Sequence, residues 1–204
     1  DPIEDIQPYK DTSLALLLEA QRRGYRLHYV LPGSLAIHQH RSMAYLAELT
    51  VYDDKNQYFK LGEGRLSALS EMSAILMRKD PPVDAQFIHD TQILSIAESE
   101  GVLVVNRPQS LRDWNEKLAA LLFPQCIPDT LVSRSVTEFK EFIANFGDVV
   151  VKPLDGMGGK SIFRIRHGES NANVILETLT EGGKLSMAQR YLPEIRDGDK
   201  RILM

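Results

Sequence analysis

The sequence predicts an α/β protein: a parallel sheet with helices on its faces, followed by a second region of α+β character. Three observations predict it. Two short apolar runs, 74–78 and 102–106, flank a segment of helical pattern, and strand–helix–strand alternation points to parallel pairing. Pro124 and Pro128 then interrupt the chain, so a new region starts there. After them, a strand ending in Lys152 runs into a glycine-rich loop and a further strand.

In chain order, Asp11 can cap a helix over 12–23, with Gly24 as its stop and Leu14, Leu17 and Leu18 as its apolar stripe. Residues 25–31 alternate and are rich in strand formers. Segments 42–52 and 57–61 read as a hairpin around Asp53-Asp54-Lys55-Asn56. The run 74–78 is expected as a buried strand ended by Pro81 and Pro82. Asp84 can cap a helix ending near Gly101, and 102–106 is expected as a second buried strand. One helix is expected from Ser110 or Leu111 to Leu122.

In the second region 130–133 is a short strand. Ser135-Val136-Thr137-Glu138 has the form of a capping box opening a helix to about Phe146. Strands are expected at 148–152, 161–166 and 185–190, with a helix over 173–180.

Composition bounds the function. The 204 residues are 43% hydrophobic and 25% charged, values of a chain able to bury a core. The net charge is −4, from 24 basic and 28 acidic residues, with no basic stripe, which argues against a nucleic-acid partner. The single cysteine, Cys126, cannot form an internal disulfide, so a reducing, cytoplasmic compartment is expected. No stretch approaches the roughly 20 apolar residues of a membrane span, and the chain does not open on a secretory signal. It begins on Asp1 rather than methionine and stops within an expected strand at Met204, so the expectation is a piece of a longer protein.

The stretch that carries chemistry is Lys152-Pro153-Leu154-Asp155-Gly156-Met157-Gly158-Gly159-Lys160-Ser161. A lysine at a strand end offers a fixed positive charge with three donors. Glycines let backbone N–H groups close around phosphate oxygens. Together they point to a nucleoside triphosphate. The stretch is not a Walker A loop, because Leu154 stands where that motif has its first glycine. Nor is it a dinucleotide fingerprint, because it leads into a strand and not a helix. Taken alone, it fits equally a hairpin turn carrying an exposed lysine.

Other signals are weaker. His38-Gln39-His40 lacks a third ligand at metal-binding spacing and reads as a solvated loop. His28, His89 and His167 are scattered, and Cys126 has no histidine partner in sequence.

Six ordered blocks decide the matter: Leu14 to Gly24; Met77-Arg78-Lys79-Asp80-Pro81-Pro82; Val105 to Asp113 continuing into Asn115-Glu116-Lys117; Lys152 to Gly159; Met187-Ala188-Gln189-Arg190-Tyr191-Leu192-Pro193; and Asp197-Gly198-Asp199-Lys200-Arg201. In this order and spacing the sequence resembles bacterial glutathione synthetase along its whole length. The resemblance implies a Rossmann-like pre-ATP-grasp, substrate-binding domain over 1–115. An incomplete ATP-grasp domain over 116–204 would follow, comprising its N-terminal subdomain and hinge. It also implies ATP-dependent ligation of γ-glutamylcysteine with glycine through an acyl phosphate, giving glutathione, ADP and phosphate. Alternatives are another ATP-grasp peptide ligase, or a non-catalytic nucleotide-binding module.

By this resemblance Lys117 and Lys152 reach the ATP phosphates and adenine edge, and Gly156, Gly158 and Gly159 form the lid, with Ser161 able to add a hydroxyl. Gln189, Tyr191 and Leu192 belong to the adenine hinge, and Asp199 holds the ribose. Arg201 is catalytic beside the transferring phosphoryl group, and Arg78 binds a substrate carboxylate. Without it, Lys117 would read as a solvated helix lysine; for Arg78, at a strand end where open parallel sheets place their ligands, the alternative is a surface ion pair. Mg2+, or Mn2+, is implied with ligands beyond residue 204 and none within the chain. A glycine-rich substrate loop beyond Met204 and a strand before Asp1 are implied too, so the 204 residues alone are expected not to catalyse. A homo-oligomer, dimer or tetramer, is implied as well.

Overall fold

The computed structural model describes residues 2–80, 82–156 and 161–200. The chain divides into two compact units, Asp1–Asp113 and Trp114–Met204.

In the first unit, helix α1 (Thr12–Arg22) starts where the Asp11 carboxylate accepts the N–H groups of Ser13 and Leu14, at 2.6 and 3.3 Å. This satisfies donors that the first helical turn leaves unpaired. It stops before Gly24, whose φ of 83° is a left-handed conformation that glycine adopts without strain. Strands β1 (Leu27–Val30), β2 (Ala36–His38), β3 (Arg41–Val51), β4 (Phe59–Leu61) and β5 (Arg65–Ala68) form one antiparallel sheet around the long β3. The expected hairpin is its β3–β4 pair, with Thr50 opposite Lys60.

The parallel pairing is narrower than the sequence suggests. Among the described residues only β6 (Ala74–Leu76) and β7 (Leu103–Val105) pair in parallel, with Ile75 opposite Val104. Between them lies α2 (Ala85–Ser99), capped by Asp84 onto the Phe87 N–H at 2.9 Å. The reason is connection length. A parallel partner needs a crossover of a dozen or more residues, which this helix supplies and the short links from β1 to β6 do not.

The expectation that both strands are buried is also corrected. Ile75 and Val104 join Leu94 and Ala97 of α2 in the core, but Leu76 and Leu103 on the alternate positions are 46% and 62% exposed. A two-stranded layer with one helix behind it covers one face. A second cluster gathers Ile3, Leu14, Leu49, Val51 and Tyr58 between α1 and β3.

The single helix expected to end at Leu122 is broken. Helix α3 (Pro108–Asp113) closes the first unit, and two short 3-10 turns, Ala119–Leu122 and Pro124–Cys126, follow in the second. Between them the Asn115 side-chain oxygen accepts the N–H groups of Lys117 and Leu118, both at 3.0 Å. Asparagine is prone to replace helical backbone bonds in this way.

The second unit is built on β8 (Thr130–Ser133), α4 (Val136–Phe146), β9 (Asp148–Pro153), β10 (Phe163–Arg166), α5 (Ala172–Thr180) and β11 (Ser186–Arg190). Its four strands form an antiparallel sheet in the order β10-β9-β11-β8. Phe139 and Ile143 of α4 and Leu176 of α5 pack on Val149, Val151, Ile165 and Ala188, which project from one face of that sheet. The capping box at Ser135 is half made. Its hydroxyl accepts the Glu138 N–H at 3.3 Å, but the Glu138 carboxylate accepts from Ser133 Oγ.

Candidate functional site

The alternation that buries Val149 and Val151 puts Val150 and Lys152 on the opposite face of β9. Cross-strand register sets Met187 of β11 beside Lys152 and Gln189 beside Val150. Gln189 is therefore the diagonal neighbour of Lys152, and its side-chain oxygen accepts from Lys152 Nζ at 2.8 Å. Burial lowers the Lys152 pKa from the ordinary lysine value, and the nearby Lys117 ammonium lowers it further.

Lys117 is not a solvated helix lysine. It lies in the turn organised by Asn115, and its side chain is only 12% exposed. Its Nζ donates to the Gly156 carbonyl at 2.7 Å, to the Leu154 carbonyl at 3.4 Å and to the Glu116 carboxylate at 2.8 Å. Asn115 Nδ2 donates to the same Leu154 carbonyl at 3.0 Å. The start of the glycine loop is thus bound to the turn that carries Lys117. A polyphosphate brought here would meet two ammonium groups, one already depressed in proton affinity and so strongly favoured by a new anion.

Of the other residues singled out in the sequence, Gly156 belongs to this cluster through its carbonyl. Gly158, Gly159 and Arg201 lie outside the described residues. Ser161 is exposed, with a φ of 58°. At the hinge, the N–H groups of Arg190 and Tyr191 donate to the Asp129 and Asp148 carbonyls at 2.9 and 3.0 Å. That leaves the Leu192 N–H without a partner among the described residues and available to a ligand edge. The Tyr191 ring stacks on the Arg164 guanidinium at 3.6 Å, so its side chain is committed to the protein. Asp199 is exposed, with no hydrogen bond or ion pair among the described residues. In the first unit, Arg78 Nε donates to Ser13 Oγ at 3.2 Å and stays exposed, with no ion pair among the described residues.

Sequence reasoning missed Asn115, Thr130, Asp148 and Arg164. Asn115, two residues before Lys117, carries a local signal, an asparagine able to bond backbone two residues on. Asp148 and Arg164 pair only through the β9–β10 register. Arg164 forms a two-pronged contact with the Asp148 carboxylate, at 2.8 and 2.5 Å, which holds that carboxyl below its ordinary pKa.

Concavities of about 510 Å³ beside His38, Arg41 and Arg65, and about 450 Å³ beside Arg164 and His167, do not include Lys117 or Lys152. The ammonium groups of both lysines are held by protein oxygens. Among the described residues no group of three or more His, Cys, Asp or Glu could hold a metal ion. No described helix is long and apolar enough to cross a membrane.

Comparison with known proteins bears on the family of the chain. The family model of the prokaryotic glutathione synthetase N-terminal domain matches residues 1–112, and that of the prokaryotic glutathione synthetase ATP-grasp domain matches residues 116–204. The chain is 58% identical over 205 aligned residues to a glutathione synthetase of Xanthomonas axonopodis pv. citri (strain 306), covering all of this chain and 65% of that protein. It is 55% identical, with the same coverage, to a glutathione synthetase of Pseudomonas putida. The chain therefore spans about two thirds of the length of these relatives. Among solved structures it resembles a RimK domain ATP-grasp protein from Sphaerobacter thermophilus, at TM-score 0.56 and 20% identity over 90% of this chain and 61% of that one, a likeness of fold. With two family models matched in order over nearly all its residues, the chain belongs to the prokaryotic glutathione synthetase family.

Proposed function

We propose that the chain serves an ATP-dependent carboxylate–amine ligase that joins γ-glutamylcysteine to glycine. One observation carries the nucleotide half of this reading: Lys117 and Lys152 converge beside the start of the glycine loop, close enough that one charge lowers the proton affinity of the other. Like charges gathered at partly buried positions are costly unless an anion joins them. Family membership supports the substrates.

The chemistry suits such a site. A carboxylate is a poor electrophile. Its oxygen attacks the γ-phosphorus of ATP, the bond to the bridging oxygen breaks, and ADP leaves. The glycine amine then attacks the acyl carbon of the cysteinyl phosphate. Phosphate departs with the bonding pair, and the amine proton passes to solvent or a base. Positive charge held in a water-poor cleft favours the first step, because negative charge spreads over the transferring oxygens.

In this reading Lys117 and Lys152 neutralise the polyphosphate, and Gly156, Gly158, Gly159 and Ser161 close over it. Adenine sits at the hinge of Gln189, Tyr191 and Leu192 through backbone atoms, Asp199 takes the ribose hydroxyls, and Arg201 faces the transferring group. Arg78 takes a peptide carboxylate. Mg2+, or Mn2+ in its place, is part of the proposal by kinship alone. The described residues do not form a site for it. Cytoplasmic location and a homo-oligomer, dimer or tetramer, are likewise proposed from kinship.

The test is ADP release by the protein carrying this chain, given ATP, γ-glutamylcysteine and glycine, together with ATP titration of the 204-residue chain. Dependence of ADP release on both amino-acid substrates supports the reading. Turnover with glutamate or D-alanine as acceptor instead, or no ATP binding, overturns it.

A further inference from the structure

We infer that Thr130 is a positioning residue for the Lys152 ammonium, acting through the amide of Gln189. Three hydrogen bonds run in series. Thr130 Oγ1 donates to the Pro128 carbonyl at 2.7 Å, Gln189 Nε2 donates to Thr130 Oγ1 at 3.0 Å, and Lys152 Nζ donates to Gln189 Oε1 at 2.8 Å. The sense of each bond is fixed by its ends. An ammonium only donates and a carbonyl only accepts. The single Thr130 proton is therefore spent on Pro128, and its lone pairs must receive the Gln189 NH2. With the NH2 so engaged, the glutamine oxygen faces Lys152.

Sheet register makes the series possible. Gln189 stands opposite Thr130 on β8 and two positions from Met187, the partner of Lys152 on β9. The three side chains share one face of the sheet, the face opposite the Phe139 core.

The hydroxyl is not required by the strand. Valine has the shape of threonine and an equal or better strand propensity, so β8 would form with either. What valine lacks is the acceptor. Without it the Gln189 NH2 loses its acceptor, and the amide oxygen is held where Lys152 Nζ meets it by that one contact alone. An ammonium that already feels burial and the Lys117 charge would then have a less firmly placed acceptor. The hydroxyl of Thr130, two strands away, thus sets where the Lys152 charge rests and how readily it is kept.

This inference rests on the reading of Lys152 as a phosphate ligand, and two measurements separate the two. In the 204-residue chain with 13C-labelled lysine, the Lys152 resonance is titrated by NMR in wild type, Thr130→Val and Thr130→Ser. The midpoint moves to lower pH in Thr130→Val and returns to the wild-type value in Thr130→Ser. An unchanged midpoint in Thr130→Val, or an equal shift in Thr130→Ser, overturns the inference whatever ATP does. ATP titration by calorimetry then shows affinity about five- to tenfold weaker in Thr130→Val, the scale of one lost buried hydrogen bond, with Thr130→Ser restored. If Lys152→Met binds ATP as wild type does, the nucleotide reading fails, while the Lys152 titration still decides the role of Thr130.

Discussion

The ammonium of Lys117 lies 2.7 Å from the carbonyl oxygen of Gly156. The side chain proposed to grip phosphate is thus already bonded to the backbone of the loop proposed to cover it. Phosphate oxygens and the Gly156 carbonyl are acceptors for the same protons, so nucleotide binding and loop position are tied through one donor. Replacing Lys117 by methionine keeps the length of the side chain and removes the charge. The expected result is ATP affinity about 10- to 100-fold weaker, the scale of a hydrogen bond to a charged group, read by calorimetric titration of the 204-residue chain.

Lys152 gives a pH signature. Burial, then the Lys117 charge, put its pKa in the folded chain below the ordinary value of 10.5. Between that lowered value and 10.5 the unfolded chain holds more protons, so this group makes stability rise with pH across the window. A bound polyphosphate reverses the shift. ATP binding at alkaline pH, between the lowered value and 10.5, is therefore expected to take up protons. Calorimetry in buffers of different ionisation enthalpy measures this, and Lys152→Met is expected to abolish the uptake.

Asp148 gives stability the same slope with pH for the opposite reason, because the fold favours its charged form. Its bond to Arg164, the main cause, and the nearby Arg166 hold its pKa below the ordinary 3.8. The stability this contributes is present above 3.8 and is lost as pH falls through the lowered value. In Asp148→Asn the melting temperature is expected to fall at neutral pH, and the gap from wild type to close on acidification. The same change frees Arg164 from the carboxylate that anchors it over the Tyr191 ring. Tyrosine fluorescence provides a second readout.

The core of the second unit is the most sensitive to truncation. Phe139 has no exposed surface and packs in a cluster with Val149, Val151 and Leu176. Phe139→Ala is expected to cost about 3–5 kcal/mol in urea unfolding. Exposed Lys140→Ala on the same helix is expected to change stability by less than about 0.5 kcal/mol.

Much of this was legible in the sequence, where the signal is local. Asp11, Asp84 and Ser135 each cap a helix as expected, because capping depends on a side chain and backbone two or three residues away. The hairpin of β3 and β4 and the strand that delivers Lys152 were legible for the same reason. Features that depend on pairing between distant segments were not. Nothing near Thr130 announces Gln189, and nothing near Asp148 announces Arg164; register alone brings them together. The break after Asp113 was missed because a helical pattern continues through Leu122, while one asparagine side chain redirects two N–H groups. The apolar runs of β6 and β7 suggested cover on both faces, yet exposed Leu76 and Leu103 show it on one.

Strand β9 carries two assignments on its two sides, Val149 and Val151 inward, Val150 and Lys152 outward. Deleting one residue ahead of Lys152 would shift the pleat by half its period and swing the ammonium into the hydrocarbon around Phe139. Foldability and anion recognition in this unit therefore share a single phase. Insertions or deletions in β9 are tolerable only in pairs, whatever residues they introduce.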